Sequence, residues 1–214
     1  RVDANIEELG EETDRLYIKK ITELSVSREA IQRQKDLKIV YSSIHGTGIT
    51  LVPDALRSFG FTNVNIVEEQ AVPDGNFPTV IYPNPEEKEA LTLAIAKAEA
   101  IDADLVLATD PDADRVGIAV KNDEGSFILL NGNQTGSLLI TYMLSVWEEK
   151  GKLSGKEYIV STIVTTKLIE EIARFHKVDF YETLTGFKWI GALITRFQGE
   201  KTFIAGGEES YGYL

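Results

Sequence analysis

One stretch constrains the fold more than any other. Residues Leu105 to Ile118 read LVLATDPDADRVGI. An apolar run, Leu105 to Ala108, leads into Asp110, Asp112 and Asp114, with Arg115 next and a second apolar run after it. The two runs are the most strand-like segments of the chain, so the carboxylates belong to the turn between two strands. On an extended backbone, Asp at every second position projects to the same side. Such carboxylates repel: at ~6 Å and an effective dielectric of ~20, each pair costs about 3 kcal/mol. A hard cation with oxygen ligands relieves that, and Mg²⁺ takes one or two carboxylates plus phosphate oxygens. A solvated polar turn is the bland alternative.

Two other loops compete. An EF-hand is excluded, because the sixth, twelfth and second positions are Arg115, Lys121 and Pro111, where that loop needs Gly, Glu and a non-proline ligand frame. A phosphatase of the haloacid-dehalogenase type also sets two Asp after a strand, and would use Asp110 as its nucleophile. Its usual Thr or Val is Asp114 here.

The chain has 214 residues, enough for one large domain or two small ones. Hydrophobic content of 43% and charged content of 26% allow a buried core and a polar surface. Cysteine is absent, which rules out a disulfide framework and fits a reducing, cytoplasmic setting. No window reaches the apolar length of a membrane span, and no signal peptide opens the chain. It runs from Arg1 to Leu214 and stops just after a glycine-rich motif, so a segment of a longer protein is expected. The net charge is −12. That disfavours nucleic acid, which needs a basic footprint. It also repels a phosphate ester, so local cations such as Arg115 and Lys188, or a bound metal, must offset the field.

In chain order, residues 1–36 read as a helical connector, with apolar Leu16, Ile18, Ile21 and Leu24 among charges and Ser27 as an N-cap. Residues 37–44 form a strand, and His45-Gly46-Thr47-Gly48 leads into a helix with Pro53 in its first turn. The HGTG turn is too short for a Walker or dinucleotide loop. It serves either as a tight turn or as a backbone surface near the substrate, and His45 reads as structural. Residues 63–68 form a strand, and a proline-rich loop runs to Pro85. A helix is expected over 86–100, then strands over 104–109, 116–121 and up to Leu130. Residues 37–130 therefore alternate strand and helix, which argues for a sheet covered by helices. Asn131-Gly132-Asn133 breaks the pattern. A second alternating set then fills 131–214. The fold expected is α/β, as two successive α/β domains, 37–130 and 131–214, each a mixed sheet packed between helices.

The second half holds two more constellations. Thr185-Gly186-Phe187-Lys188-Trp189-Ile190 opens a helix. Thr185 and Gly186 offer an N-cap and backbone N–H groups. Lys188 sits where a cation opposes the helix dipole, which favours a functional reason for it. Phe187, Trp189 and Ile190 read as core. Gly206-Gly207-Glu208-Glu209-Ser210-Tyr211-Gly212 follows a strand. Its carboxylates suit a vicinal diol, since one carboxylate accepts two donors; a flexible polar turn is the alternative.

Taken together and in this order, TDPDADRVGI, TGFKWIG and GGEESYG resemble the α-D-phosphohexomutase superfamily, which includes phosphoglucomutase and phosphomannomutase. HGTG, the FPTV and PNPEE stretches and NGNQTGSLL point to the larger phosphoglucomutase/phosphomannomutase type. The resemblance implies a four-domain enzyme of which this chain carries the second and third domains. It implies that Asp110, Asp112 and Asp114 bind Mg²⁺ with Arg115 beside them. It also implies that Thr185, Gly186 and Lys188 line the substrate, that Glu208 and Ser210 recognise sugar hydroxyls, and that Arg115 and Lys188 take part in catalysis. Pro111 replaces the commoner Gly of the metal loop, which fixes φ without removing a ligand. The family's phosphoserine loop and fourth-domain phosphate clamp have no counterpart in the sequence. The chain alone is therefore expected to be inactive, its partners being a phosphorylated hexose and the first and fourth domains of the same polypeptide. A stand-alone sugar- or metal-binding module is the non-enzymatic alternative.

Overall fold

The computed structural model describes residues 9–214; the first eight residues of the expected connector lie outside them. Two helices open the chain, α1 (Glu11–Glu23) and α2 (Arg28–Arg33). Ser27 does precede α2, but its side chain makes no capping bond. Next come β1 (Ile39–Ser42), a 3-10 turn (Thr47–Thr50), α3 (Val52–Phe59), β2 (Val64–Ile66), a second 3-10 turn (Glu68–Gln70) and α4 (Thr92–Ala100). Residues 86–91, expected to be helical, form turns, and α4 begins only at Thr92. Then follow β3 (Leu105–Thr109), β4 (Val116–Lys121) and β5 (Phe127–Leu130). The second half comprises α5 (Gly132–Glu149), β6 (Glu157–Thr162), α6 (Leu168–Phe175), β7 (Asp179–Thr183), α7 (Phe187–Arg196) and β8 (Thr202–Gly207).

The first sheet has the order β2-β1-β3-β4-β5. β2, β1 and β3 are parallel, while β3, β4 and β5 form an antiparallel meander. Strand β1 is buried at every position, as a central parallel strand must be. Helix α4 turns Ala94 and Ala98 to the core, packing beside Val40, Val106 and Ala119. Small side chains on that face let the helix axis approach the sheet closely.

The second sheet has the order β7-β6-β8, and all three strands run parallel. The expectation of a mixed sheet holds for the first sheet; in the second, the antiparallel component among the described residues is limited to a bridge between Gly207 and Tyr213. Each βα unit here returns its chain by a helix, which forces parallel pairing. Two cores cover the sheet. Ile140, Leu144, Ile159 and Ile169 fill one side. Tyr158, Val160 and Ile190 fill the other, with Tyr181, Phe197 and Phe203 packed edge-on around Tyr158. Helix α5 starts where the sequence pattern breaks. Asn131 accepts from the Gln134 N–H, and the Gln134 side chain accepts from the Asn131 N–H, a reciprocal capping box.

In parallel sheets the loops after the strands gather at one edge, where α/β proteins bind ligands. Here that places the loops after β1 and β3 side by side, and likewise those after β6, β7 and β8.

One buried carboxylate stabilises the start of β6. Glu157 accepts from Ser154 N (2.8 Å), Ser154 Oγ (2.7 Å), Gly155 N (2.9 Å) and Lys156 N (3.1 Å). Burial pushes its pKa up, but these bonds outweigh it and hold the carboxyl below the usual range. A depressed folded pKa contributes stability above the unfolded value, near 4.3, and loses it as pH falls through the folded value. Glu157→Gln should cost about 1–3 kcal/mol at neutral pH. Urea melts of both proteins should show the gap narrowing below about pH 4; a gap constant down to pH 3 contradicts this account.

Candidate functional site

The acidic loop is a turn rather than an extended segment. Asp110 immediately follows β3, its carbonyl accepts from the Ala113 N–H at 3.0 Å, and Ala113 takes φ +59°. The alternation expected for an extended backbone therefore does not operate. The turn instead curls the three carboxylates together, so that one oxygen from each lies within 4.8 Å of the others. Asp110 is fully buried, whereas Asp112 and Asp114 are exposed.

Asp110 is held at both oxygens by one residue. Oδ1 accepts from the Arg115 backbone N–H at 3.0 Å, and Oδ2 from Arg115 Nε at 2.6 Å. Burial works against the Asp110 carboxylate, but the two Arg115 bonds and its charge win and hold its pKa below the usual range. Burial and the negative charges of Asp110 and Asp112 push Asp114 the other way. Arg115 also reaches Asp114 at 3.6 Å and Glu86 at 3.9 Å. The donor set suits a hard divalent cation: it is all oxygen, clustered, and has two accessible members whose mutual repulsion a cation relieves.

The HGTG turn braces this loop. The Pro111 carbonyl accepts from Thr47 N (2.8 Å) and Thr47 Oγ1 (3.1 Å). Gly46 lies against the same proline, where a Cβ would fall 2.3 Å from Pro111 Cα. His45 is structural. Its Nδ1 faces the Val72 carbonyl at 3.1 Å and so carries the proton; Nε2 then accepts from Thr79 Oγ1 at 2.9 Å. Thr79 in turn accepts from Gln70 Nε2, and Gln70 Oε1 accepts from Ser42 Oγ at 2.6 Å. This buried network pins the proline-rich loop to the end of β1.

The second pair of loops is joined by Glu208. Its carboxylate accepts from the Gly186 N–H and, at 3.3 Å, from Ser210 Oγ. Glu208 is buried, yet each oxygen keeps a second lone pair. Gly186, rather than Thr185, is the N-cap of α7. Thr185 and Lys188 are exposed, and the Lys188 ammonium stands 5.2 Å over the Trp189 ring. Ile190 is buried as expected, but Trp189 is 42% exposed and is not core. The neighbouring Glu209 turns inward, accepting from Thr165 Oγ1 at 3.0 Å and Thr162 Oγ1 at 3.3 Å.

A backbone bond ties the halves together, and a close approach packs the second half on itself. Val116 N donates to the Tyr211 carbonyl at 3.2 Å, linking the strand after the acidic loop to the GGEESYG loop. Gly132 lies under the Glu209 backbone, so close that a Cβ there would fall 1.7 Å from its carbonyl oxygen. Asp110, Asp112, Asp114 and Arg115 thus form one group, and Gly186, Glu208 and Ser210 another. Gly46 and Thr47 brace the first group, Gly132 backs the second, and the Val116–Tyr211 bond links the two, roles that no residue type announces. The PNPEE stretch supplies Glu86, whose position opposite Arg115 the motif did not reveal.

Fold and site define a two-sheet α/β protein with an acidic loop and a glycine-carboxylate loop bonded side by side. Residues 15–125 match the family described as phosphoglucomutase/phosphomannomutase, alpha/beta/alpha domain II, and residues 131–214 match its domain III. A phosphoglucomutase from Staphylococcus haemolyticus is 38% identical over 213 residues, covering the whole chain and 37% of that relative. One from Staphylococcus epidermidis is 43% identical over 181 residues, covering 85% of the chain and 32% of the relative. Among solved structures, the N-acetylphosphoglucosamine mutase of Aspergillus fumigatus superposes with a TM-score of 0.63 at 16% identity, over 98% of this chain and 42% of that one. The chain belongs to the phosphoglucomutase/phosphomannomutase family. It spans about a third of the length of the curated relatives it matches.

The brace generates a prediction. Gly46→Ala drives a methyl into the Pro111 backbone, which cannot yield without moving the acidic loop. The variant should lose about 1–3 kcal/mol of stability, read from urea melts. An unchanged melt would show that the brace is dispensable.

Proposed function

We propose that this chain is the metal- and sugar-binding part of a phosphohexomutase interconverting hexose 1-phosphate and hexose 6-phosphate, of glucose, mannose or both. The observation that carries this reading is the backbone bond from Val116 to Tyr211, which sets an oxygen-donor cluster beside a carboxylate suited to hydroxyls. Residues 37–130 are the metal-binding domain and 131–214 the sugar-binding domain, preceded by helices α1 and α2.

Asp110, Asp112 and Asp114 hold Mg²⁺; the Aspergillus relative was solved with GlcNAc-6P and magnesium. When bound, the ion neutralises charge that develops on the transferring phosphoryl group. Arg115 keeps Asp110 ionised and presents a guanidinium at the edge of the cluster. Glu208 and Ser210 receive sugar hydroxyls, with Thr185 and Gly186 forming the adjoining backbone wall and Lys188 meeting a phosphate. The serine that carries the phosphoryl group, and the clamp on the distal phosphate, belong to first and fourth domains of the same polypeptide. That serine gives its phosphoryl group to the free hydroxyl. The resulting bisphosphate turns over in the site, and its other phosphate returns to the serine. Glu208 must accept the ring in both orientations, so it reads hydroxyls that either orientation presents.

The net charge of −12 offers nucleic acid no footprint, and among the described residues no helix is long and apolar enough to cross a membrane. We assign the protein to the cytoplasm, a setting that the lack of cysteine fits. Full-length protein should convert glucose 1-phosphate or mannose 1-phosphate to the 6-phosphate with Mg²⁺ and a trace of hexose bisphosphate. Asp112→Asn should lower kcat/KM at least about a hundredfold, and the 214-residue chain alone should show no turnover. Absence of activity with both sugars contradicts the assignment; full activity of Asp112→Asn removes the metal role of this loop.

A further inference from the structure

The indole of Trp189 has no task in the account above. Its neighbours in α7 are accounted for: Ile190 is fully buried, and Phe187 packs against the core around β6. Trp189 alone in this turn remains a large apolar surface, 42% exposed, although tryptophan buries most of its area in ordinary surfaces. Its position is specific. A Cβ built on Gly186 would lie 3.9 Å from Trp189 Cδ1, so the indole edge borders Gly186. The N–H of that same Gly186 donates to the Glu208 carboxylate. One residue thus has an acceptor carboxylate on its backbone and an indole beside it. The Lys188 ammonium stands over the ring at 5.2 Å, placing a cation at the same spot.

These three groups match the three chemistries of a phosphorylated hexose. Hydroxyls line the rim of a pyranose ring, C–H bonds cover its faces, and the phosphate is an anion. A carboxylate accepts the hydroxyls, an aromatic face packs against the C–H surface, and an ammonium meets the phosphate. We propose that Trp189 contacts substrate as the apolar wall of a sugar subsite whose polar wall is Glu208. This rests on the reading of Glu208 as a sugar-binding residue. The contact depends on ring shape rather than on any one hydroxyl, so it serves both orientations that the reaction requires.

The test uses full-length protein and compares Trp189→Leu, Trp189→Phe and Glu208→Gln. Trp189→Leu should raise KM for the hexose phosphate about tenfold while kcat changes less than about threefold. Trp189→Phe should recover most of the loss, because it restores an aromatic face. Inhibition by inorganic phosphate, which has no ring, should be unchanged in both. The proposal is overturned if Trp189→Leu leaves KM unaltered. It is equally overturned if phosphate and sugar weaken together with a lowered melting temperature, which marks a structural role such as packing against another domain. If Glu208→Gln weakens sugar binding and Trp189→Leu does not, only the Trp189 assignment fails. If Glu208→Gln is also without effect, the sugar reading of the whole loop fails and the proposal with it.

Discussion

The two bonds between Arg115 and the buried Asp110 carboxylate are the constraint around which the site is built. A fully buried carboxylate survives ionised only with donors at its oxygens, and here one residue supplies both a backbone and a guanidinium donor. Because Arg115 lies five positions on, satisfying Asp110 closes the loop on itself. That closure bends β3 back into β4 and throws Asp112 and Asp114 outward. The geometry of the cluster is thus set inside the loop itself. Losing the Arg115 side chain strands the buried Asp110 charge, at a cost of about 3–5 kcal/mol.

Strand pairing and the Val116–Tyr211 bond fix the acidic loop relative to the group formed by Gly186, Glu208 and Ser210. Parallel pairing of β1 with β3, and of β6 with β7 and β8, brings the relevant loops to the strand ends. Glycines then allow the backbones to touch: Gly46 against Pro111, Gly132 against Glu209. The long proline-rich loop is tied to the end of β1 through His45, Gln70 and Thr79. Glu86, just after it, stands opposite Arg115.

Much of this was legible in the residues. Apolar runs bounded by turn signals placed β3 and β4 closely, at 104–109 and 116–121 against Leu105–Thr109 and Val116–Lys121. The Asp triad was visible as a group, since its members are close in the chain. Other features were not, for identifiable reasons. Residues 86–91 have helix-favouring composition, yet Pro85 packs on Gly117 and the Asn84 side chain bonds Glu86 N, so tertiary contacts hold that stretch in turns. The parallel character of the second sheet depends on crossover helices, which strand composition does not encode. Trp189 carries the composition of a core residue, and only its place on the helix surface reveals that it faces outward. The braces Gly46, Thr47 and Tyr211 act through main-chain atoms or close approach, which leave almost no signature in residue type.

The bond from Val116 N–H to the Tyr211 carbonyl has a consequence for how such a protein tolerates sequence change. It joins the two loops through main-chain atoms only. Side chains at both positions can drift without loosening it, and among point substitutions proline at position 116, which removes the donor, is the one that deletes it outright. Side chains of the GGEESYG loop can therefore vary while its spacing to the acidic loop stays fixed. A scaffold joined in this way can remake the chemistry of one loop without rebuilding the other.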